Sequence, residues 1–176
     1  FTPINLFLTS LLLMVNQIKL HKRELLCIVL IFWTGIFVEF LGVNYGLLFG
    51  EYSYGKNLGP KLLGVPFLIG MNWVILTTIS GSISNYIFKG KKIMAILSGS
   101  VLMLIIDFFI EPVAPTLDFW EFKNSIVPFS NYTGWLITGL FTQFLYQFLF
   151  KEKELTFSIN LYFAIFVFFL FLNLKL

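Results

Sequence analysis

A chain of 176 residues with 58% hydrophobic, 19% aromatic and only 12% charged side chains is too apolar for a soluble domain, in which about a quarter of residues carry charge. Its net charge of +3 is small and sits in short loops, which gives no footing for nucleic acid. One cysteine, Cys27, and one histidine, His21, exclude an internal disulfide and leave no ligand set for zinc, haem or a histidine-rich di-iron centre.

Apolar runs of about 20 residues can each cross a bilayer as a helix. Six follow one another here. The first is Pro3 to Ile18, with proline well placed at a helix start. The others are Leu25 to Tyr45, Leu62 to about Phe88, Ile93 to Glu111, Tyr132 to Phe150 and Thr156 to Leu174. Backbone in lipid must satisfy its own hydrogen bonds, so the spans are expected to be helical. The expected fold is all-α: one polytopic integral membrane bundle of about six transmembrane helices over residues 1–176. The chain opens on Phe1 rather than Met, and a native N-terminal segment is expected upstream. The first run has neither the basic flank nor the small-residue cleavage site of a signal peptide. The 23 phenylalanines suit lipid-facing surface, and also a pocket for a long apolar ligand.

Charge orients the bundle. Lys19, Lys22 and Arg23 follow the first run, Lys89, Lys91 and Lys92 the third, and Lys151 and Lys153 the fifth. Lys56, Lys61, Lys123 and Lys175 lie on the other side. The positive-inside rule puts the first group in the cytoplasm. The two longest loops, Gly46 to Lys61 and Pro112 to Asn131, then face outward. Glu24, Glu152 and Glu154 stand among the cytoplasmic basic residues and read as their solvated partners, and His21 as a solvated loop residue.

The remaining carboxylates gather at the outer end: Glu39, Glu51, Asp107, Glu111, Asp118 and Glu121. A charge inside a span costs roughly 2.5–3.5 kcal/mol on insertion scales and marks a functional site by default. Glu39 lies about 9 Å inside the second run, at ~1.5 Å per residue, and Asp107 at a similar depth. Asp107 and Glu111 are four apart and share a helix face. If the second and fourth spans touch, the three make one intramembrane acidic cluster, in which at least one carboxyl should stay protonated. An acid and a base would then stand side by side. The plainer reading is that each carboxylate only ties helix ends and loop amides. Asp118 and Glu121 read as loop charges.

Asn72, Thr77, Thr78, Asn131, Tyr132 and Trp135 are candidates to line a cavity, and Tyr52 and Tyr54 alternate in a short loop from which they can offer hydroxyls or π-faces. Trp73 and Trp135 are candidates for the cavity or for the interfacial aromatic belt; Trp120 reads as a belt residue. The glycines of Gly46 to Gly59 follow a span and open no βαβ unit, so they are no phosphate loop. No serine nucleophile motif with a histidine partner is present.

The stretch Glu39-Phe-Leu-Gly-Val-Asn-Tyr-Gly-Leu-Leu-Phe-Gly-Glu-Tyr-Ser-Tyr, followed by Leu58-Gly59-Pro60, Gly64-Val65-Pro66 and Asn72-Trp73, resembles the CruF-type carotenoid biosynthesis proteins. These include the lycopene and γ-carotene 1,2-hydratases and bisanhydrobacterioruberin hydratase. Asp107-Phe-Phe-Ile-Glu-Pro-Val-Ala, Phe119-Trp120 and Val127-Pro-Phe-Ser-Asn-Tyr-Thr-Gly-Trp135 are similar to that family's later signatures, and Thr2-Pro3 with Asn5-Leu6 fits a member entered partway. The likeness runs from Phe1 to about Gly139; the loop departs from the pattern at Ser53 and Gly55.

The resemblance implies a cofactor-free hydratase in a bacterial or archaeal cell membrane. Its partners would be the bilayer, a carotenoid and other enzymes of carotenoid biosynthesis. It adds water across the terminal C1=C2 bond of an acyclic end group and gives a tertiary alcohol. Asp107 would be the general acid and Glu39 the base or its tuning partner, with Glu111 in reserve for either. Tyr52, Tyr54 and Trp73 would line the cation site, with Asn72, Asn131 and Trp135 also contacting substrate. Three other readings stay open. A carotenoid cyclase also starts by protonating the end group, but quenches the cation by ring closure. A proton-coupled transporter uses intramembrane acids, although the internal symmetry of inverted repeats is not seen here. A non-catalytic carotenoid- or lipid-binding subunit would need the cavity but not the carboxylates.

Overall fold

The computed structural model describes residues 2–16, 21–151 and 154–176. Ile18, Lys19, Glu152 and Lys153 lie outside them. The helices are α1 (Thr2–Asn16), α2 (Lys22–Tyr45), α3 (Phe67–Phe88), α4 (Lys92–Ile110), α5 (Phe129–Leu149) and α6 (Thr156–Lys175). The protein is an all-helical membrane bundle. Among the described residues, four helices, α2, α3, α4 and α6, are long and apolar enough to cross a bilayer. α1 has 15 described residues, and α5 carries glutamines and threonines along its length.

α3 is the central helix and packs against all five others. Of its most apolar stretch 78% is buried, against 6% for α6. α2 and α4 each pack on α3 and α5. The acidic residues of α2 and α4 therefore meet across α3 and α5, on which both helices pack. Close approach of α2 to α3 rests on Gly35, where a Cβ would lie 2.6 Å from Trp73 Cγ.

Helix ends follow local chemistry. α2 stops at Gly46, which adopts φ 65° and returns its N–H to the Gly42 carbonyl at 2.8 Å, a left-handed cap that suits glycine. The third helix begins at Phe67, five residues later than the apolar run suggests. Lys61–Leu62 (β2) and Val65–Pro66 (β3) form a two-residue hairpin. Its turn residues, Leu63 and Gly64, both have positive φ, as a tight hairpin turn requires. α5 begins at Phe129, earlier than expected, which puts Asn131 in its first turn facing α4.

The two long loops pair with each other, which alternation in one loop alone did not reveal. Tyr52–Tyr54 (β1) runs antiparallel to Trp120–Phe122 (β4), with Tyr52 opposite Phe122 and Tyr54 opposite Trp120. In a strand alternate residues share a face. Tyr52, Tyr54, Trp120 and Phe122 therefore point into the bundle, and Ser53 and Glu121 point out. The ribbon lies across the end of the bundle that holds the acidic residues.

Candidate active site

Under this ribbon, Glu39 projects from α2 and is 5% exposed. Three donors converge on it. The Tyr52 and Tyr54 hydroxyls donate to Oε2, the latter at 2.7 Å, and the Trp73 indole N–H donates to Oε1 at 3.0 Å. Burial pushes both phenols above their ordinary range, and the neighbouring Glu39 adds to the shift. They stay neutral donors at any working pH.

The second acidic group lies across a small cavity. Asp107 on α4 is fully buried and Glu111, just past the end of α4, nearly so. One amide serves both: Asn131 Nδ2 donates to Asp107 Oδ2 at 3.1 Å and to Glu111 Oε1 at 2.8 Å. Glu111 Oε2 accepts the Trp120 indole N–H at 3.0 Å. Asp107 Oδ1 is buried without a hydrogen-bond partner. The Asp107–Glu111 pair thus has fewer donors per oxygen than Glu39.

Between them is a cavity of about 20 Å³ lined by Glu39, Glu111, Tyr52, Tyr54, Trp73 and Asn131, with Asn72, Trp120 and Trp135 on its wall. That is room for one water, which needs about 10–15 Å³. Trp73 and Trp135 stack face to face, centroids 4.3 Å apart. A second cavity of about 400 Å³ adjoins the first and shares Ile69, Asn72 and Trp120 with it. Its other walls are apolar except for Thr9 of α1: Ile75, Leu76, Ile106 and Ile110 come from α3 and α4, Leu161, Ile165, Phe168 and Phe169 from α6, and Leu58, Leu117 and Phe119 from the loops. An apolar chamber with a few convergent polar groups at one end is the usual form of a small-molecule site.

A model of the carotenoid biosynthesis protein family matches residues 1–176. The chain belongs to this family. It is also similar to the bisanhydrobacterioruberin hydratase of Haloarcula japonica, with 30% identity over 126 residues, covering 67% of this chain and 43% of the relative. The chain thus spans less than half the length of that curated relative. No solved structure matches.

In this family member Glu39, Glu111, Tyr52, Tyr54, Asn72, Trp73, Asn131 and Trp135 all line one cavity. Asp107 stands behind Glu111, joined to it through Asn131. Some expectations are corrected. Trp120 is no belt residue but a donor to Glu111; its alternation with Phe122, which mirrors Tyr52 and Tyr54, was the available signal. Thr77 lies deeper, bonded to Thr142 at 3.1 Å, and Thr78 lines a separate apolar cleft under α1. Tyr132 packs on Phe108 outside the cavity. Glu51 is exposed and pairs with Lys123. Asp118 is a loop pin, accepting the Lys56 amide at 2.9 Å. Glu24 is buried, not solvated, and accepts the Lys151 amide at 3.3 Å. Glu154 caps the start of α6 through the Thr156 and Phe157 amides.

Proposed function

We propose that the protein is a carotenoid hydratase that adds water across the terminal C1=C2 bond of an acyclic carotenoid end group. The observation that carries this reading is the junction of the two cavities. A water-sized polar hole between two acidic groups adjoins an apolar chamber large enough for an isoprenoid end and shares Ile69, Asn72 and Trp120 with it. The resemblance to a hydratase of the same family supports it.

The chemistry follows from the two acidic groups. The Asp107–Glu111 pair shares one amide donor, so it favours holding a proton between its carboxyls. Glu111 is the member that faces the cavity and hands the proton to C2. The tertiary cation left at C1 sits where the two cavities meet, against the Trp120 ring that lines both, with the Trp73, Trp135 and Tyr52 rings around the hole beyond it, and aromatic faces stabilise it as cation–π contacts. A water held by Glu39 adds to C1 and passes its proton to Glu39. The tertiary alcohol leaves, and Glu39 returns the proton to the pair through solvent. No atom is left over, and no redox step or cofactor is called for. This assignment moves the donor role from Asp107 to its cavity-facing partner.

A hole of one water's size favours hydration over cyclisation, which has no use for water at C1. By the lysine distribution, the acidic end faces the outside of the cell membrane. The test is to express the protein in cells that accumulate lycopene or γ-carotene and to weigh the pigments. Each reacting end should gain one water, carrying oxygen-18 when grown in labelled water. A ring without mass gain would make it a cyclase. Unchanged pigment, with the protein in the membrane, would refute both.

A further inference from the structure

The half of the bundle below the active site is unexpectedly polar. On α3, Thr77, Ser80, Gly81 and Ser84 recur at helical spacing, and Thr142, Gln143, Tyr146 and Gln147 face them from α5; all are buried. Gln143 and Gln147 reach across and donate to the Thr77 and Gly81 carbonyls at 3.0 and 2.9 Å. The neighbouring helices are cut back to admit Gln143. A Cβ on Gly99 of α4 would lie 2.6 Å from Gln143 Cδ, and one on Gly81 would lie 2.8 Å from its Oε1.

These amides are only half used. Gln143 Oε1, Gln147 Oε1, Ser80 Oγ and Ser84 Oγ are buried without a hydrogen-bond partner. So are Asp107 Oδ1 at the acidic end and Glu24 Oε2 at the basic end. An unpartnered buried polar atom costs about 1–3 kcal/mol, and ordered water is the usual remedy. Two apolar residues in these places would have packed α3 against α5 more cheaply.

We propose that α3, α4 and α5 hold a chain of bound water from Glu24 to Asp107, and that this chain supplies the water consumed at the active site. Glu24 and Arg23 mark its entrance, where α2 meets the end of α5 through Arg23 to the Phe148 carbonyl at 2.5 Å and Lys151 to Glu24. On the opposite side, Tyr52 and Phe122 of the ribbon stand between the open outer groove and Glu39. The supply role rests on the hydration reading; the bound water does not.

Radiolytic hydroxyl-radical labelling in oxygen-18 water separates the two. Met103 is fully buried, and its sulfur lies 3.4 Å from Gln143 Nε2. Radicals made from bound water should oxidise it on millisecond exposure, as they do the half-exposed Met94. Gln143→Leu should cut Met103 labelling severalfold and leave Met94 unchanged. Gln147→Met, one turn nearer the basic end, should do the same if the first variant misfolds. Both should lower kcat for hydration severalfold with KM for carotenoid unchanged. Unlabelled Met103 in the native protein overturns the water chain. Labelled Met103 with full hydration in both variants overturns the supply role and points to entry beneath the ribbon. Labelled Met103 in a protein that hydrates nothing keeps the chain and refutes only the hydration reading.

Discussion

Glu39 and the Asp107–Glu111 pair are buried at the same end of one bundle, yet their surroundings differ. Glu39 has three hydrogens aimed at two oxygens. The pair has one asparagine amide and one indole for four oxygens, and one oxygen has nothing. Donors aimed at a carboxylate favour its charged form, and crowding of two carboxyls favours a retained proton. On the proposed function, the contrast divides labour between two groups of the same chemical type, one to accept a proton and one to give it.

The contrast is broken most sharply on its acid side. Glu111→Gln removes the cavity-facing donor, and hydration should fall by about 10²–10⁴-fold, the usual worth of a positioned acid. Asp107→Asn should approach this, since the amide cannot share a proton with Glu111. Pigment analysis at matched membrane levels reads both. Full activity in Glu111→Gln with none in Asp107→Asn would restore the donor role to Asp107.

The base side should yield more gently. Tyr54→Phe and Tyr52→Phe each take one donor from Glu39. A hydrogen bond to a charged group contributes roughly 1.5–3 kcal/mol, so each should cost about 10- to 150-fold in rate. The double variant should cost more than either alone. No effect from the double variant would mean that the ribbon shields the site but does not tune Glu39.

Support for the indole comes next. Gly35→Ala places a methyl against Trp73, and overpacking of this sort costs about 1–3 kcal/mol. The variant should melt earlier in detergent and lose several-fold in rate as the indole leaves Glu39. Lys123→Ala should do least. Its partner Glu51 is exposed and so is Lys123, and an exposed pair contributes about 0–1 kcal/mol. A large loss of hydration in Lys123→Ala would show that the ribbon depends on its rim.

Much of this organisation is legible in the residues. Hydropathy places the helices, because lipid leaves the backbone no other choice. The spacing of Asp107 and Glu111 puts them on one face, and the family signatures single out Glu39, Trp73 and Asn131. What the sequence hides is pairing across distance. The alternation of Trp120 with Phe122 hints at a strand, but its pairing with Tyr54 across more than sixty residues is not local, so Trp120 alone reads as a belt aromatic. Leu62 to Pro66 is apolar enough to pass for helix until its tight turn is seen. Gln143 and Gln147 lie within the fifth apolar run, where nothing in the sequence singles them out; only the glycines opposite Gln143 on α3 and α4 show that the bundle is shaped around it.

The most direct test of the division between Glu39 and the acidic pair is the fate of deuterium. Lycopene is incubated with each variant in heavy water, and recovered alkene and alcohol are analysed separately. In Glu39→Gln the pair still protonates C2, and the cation, without an activated water, loses a proton from C2 and returns to alkene. The recovered carotenoid should therefore carry deuterium at C2, with little alcohol formed. In Glu111→Gln neither labelled alkene nor alcohol should appear. Deuterium entering C2 in Glu111→Gln but not in Glu39→Gln would reverse the two roles and contradict the account.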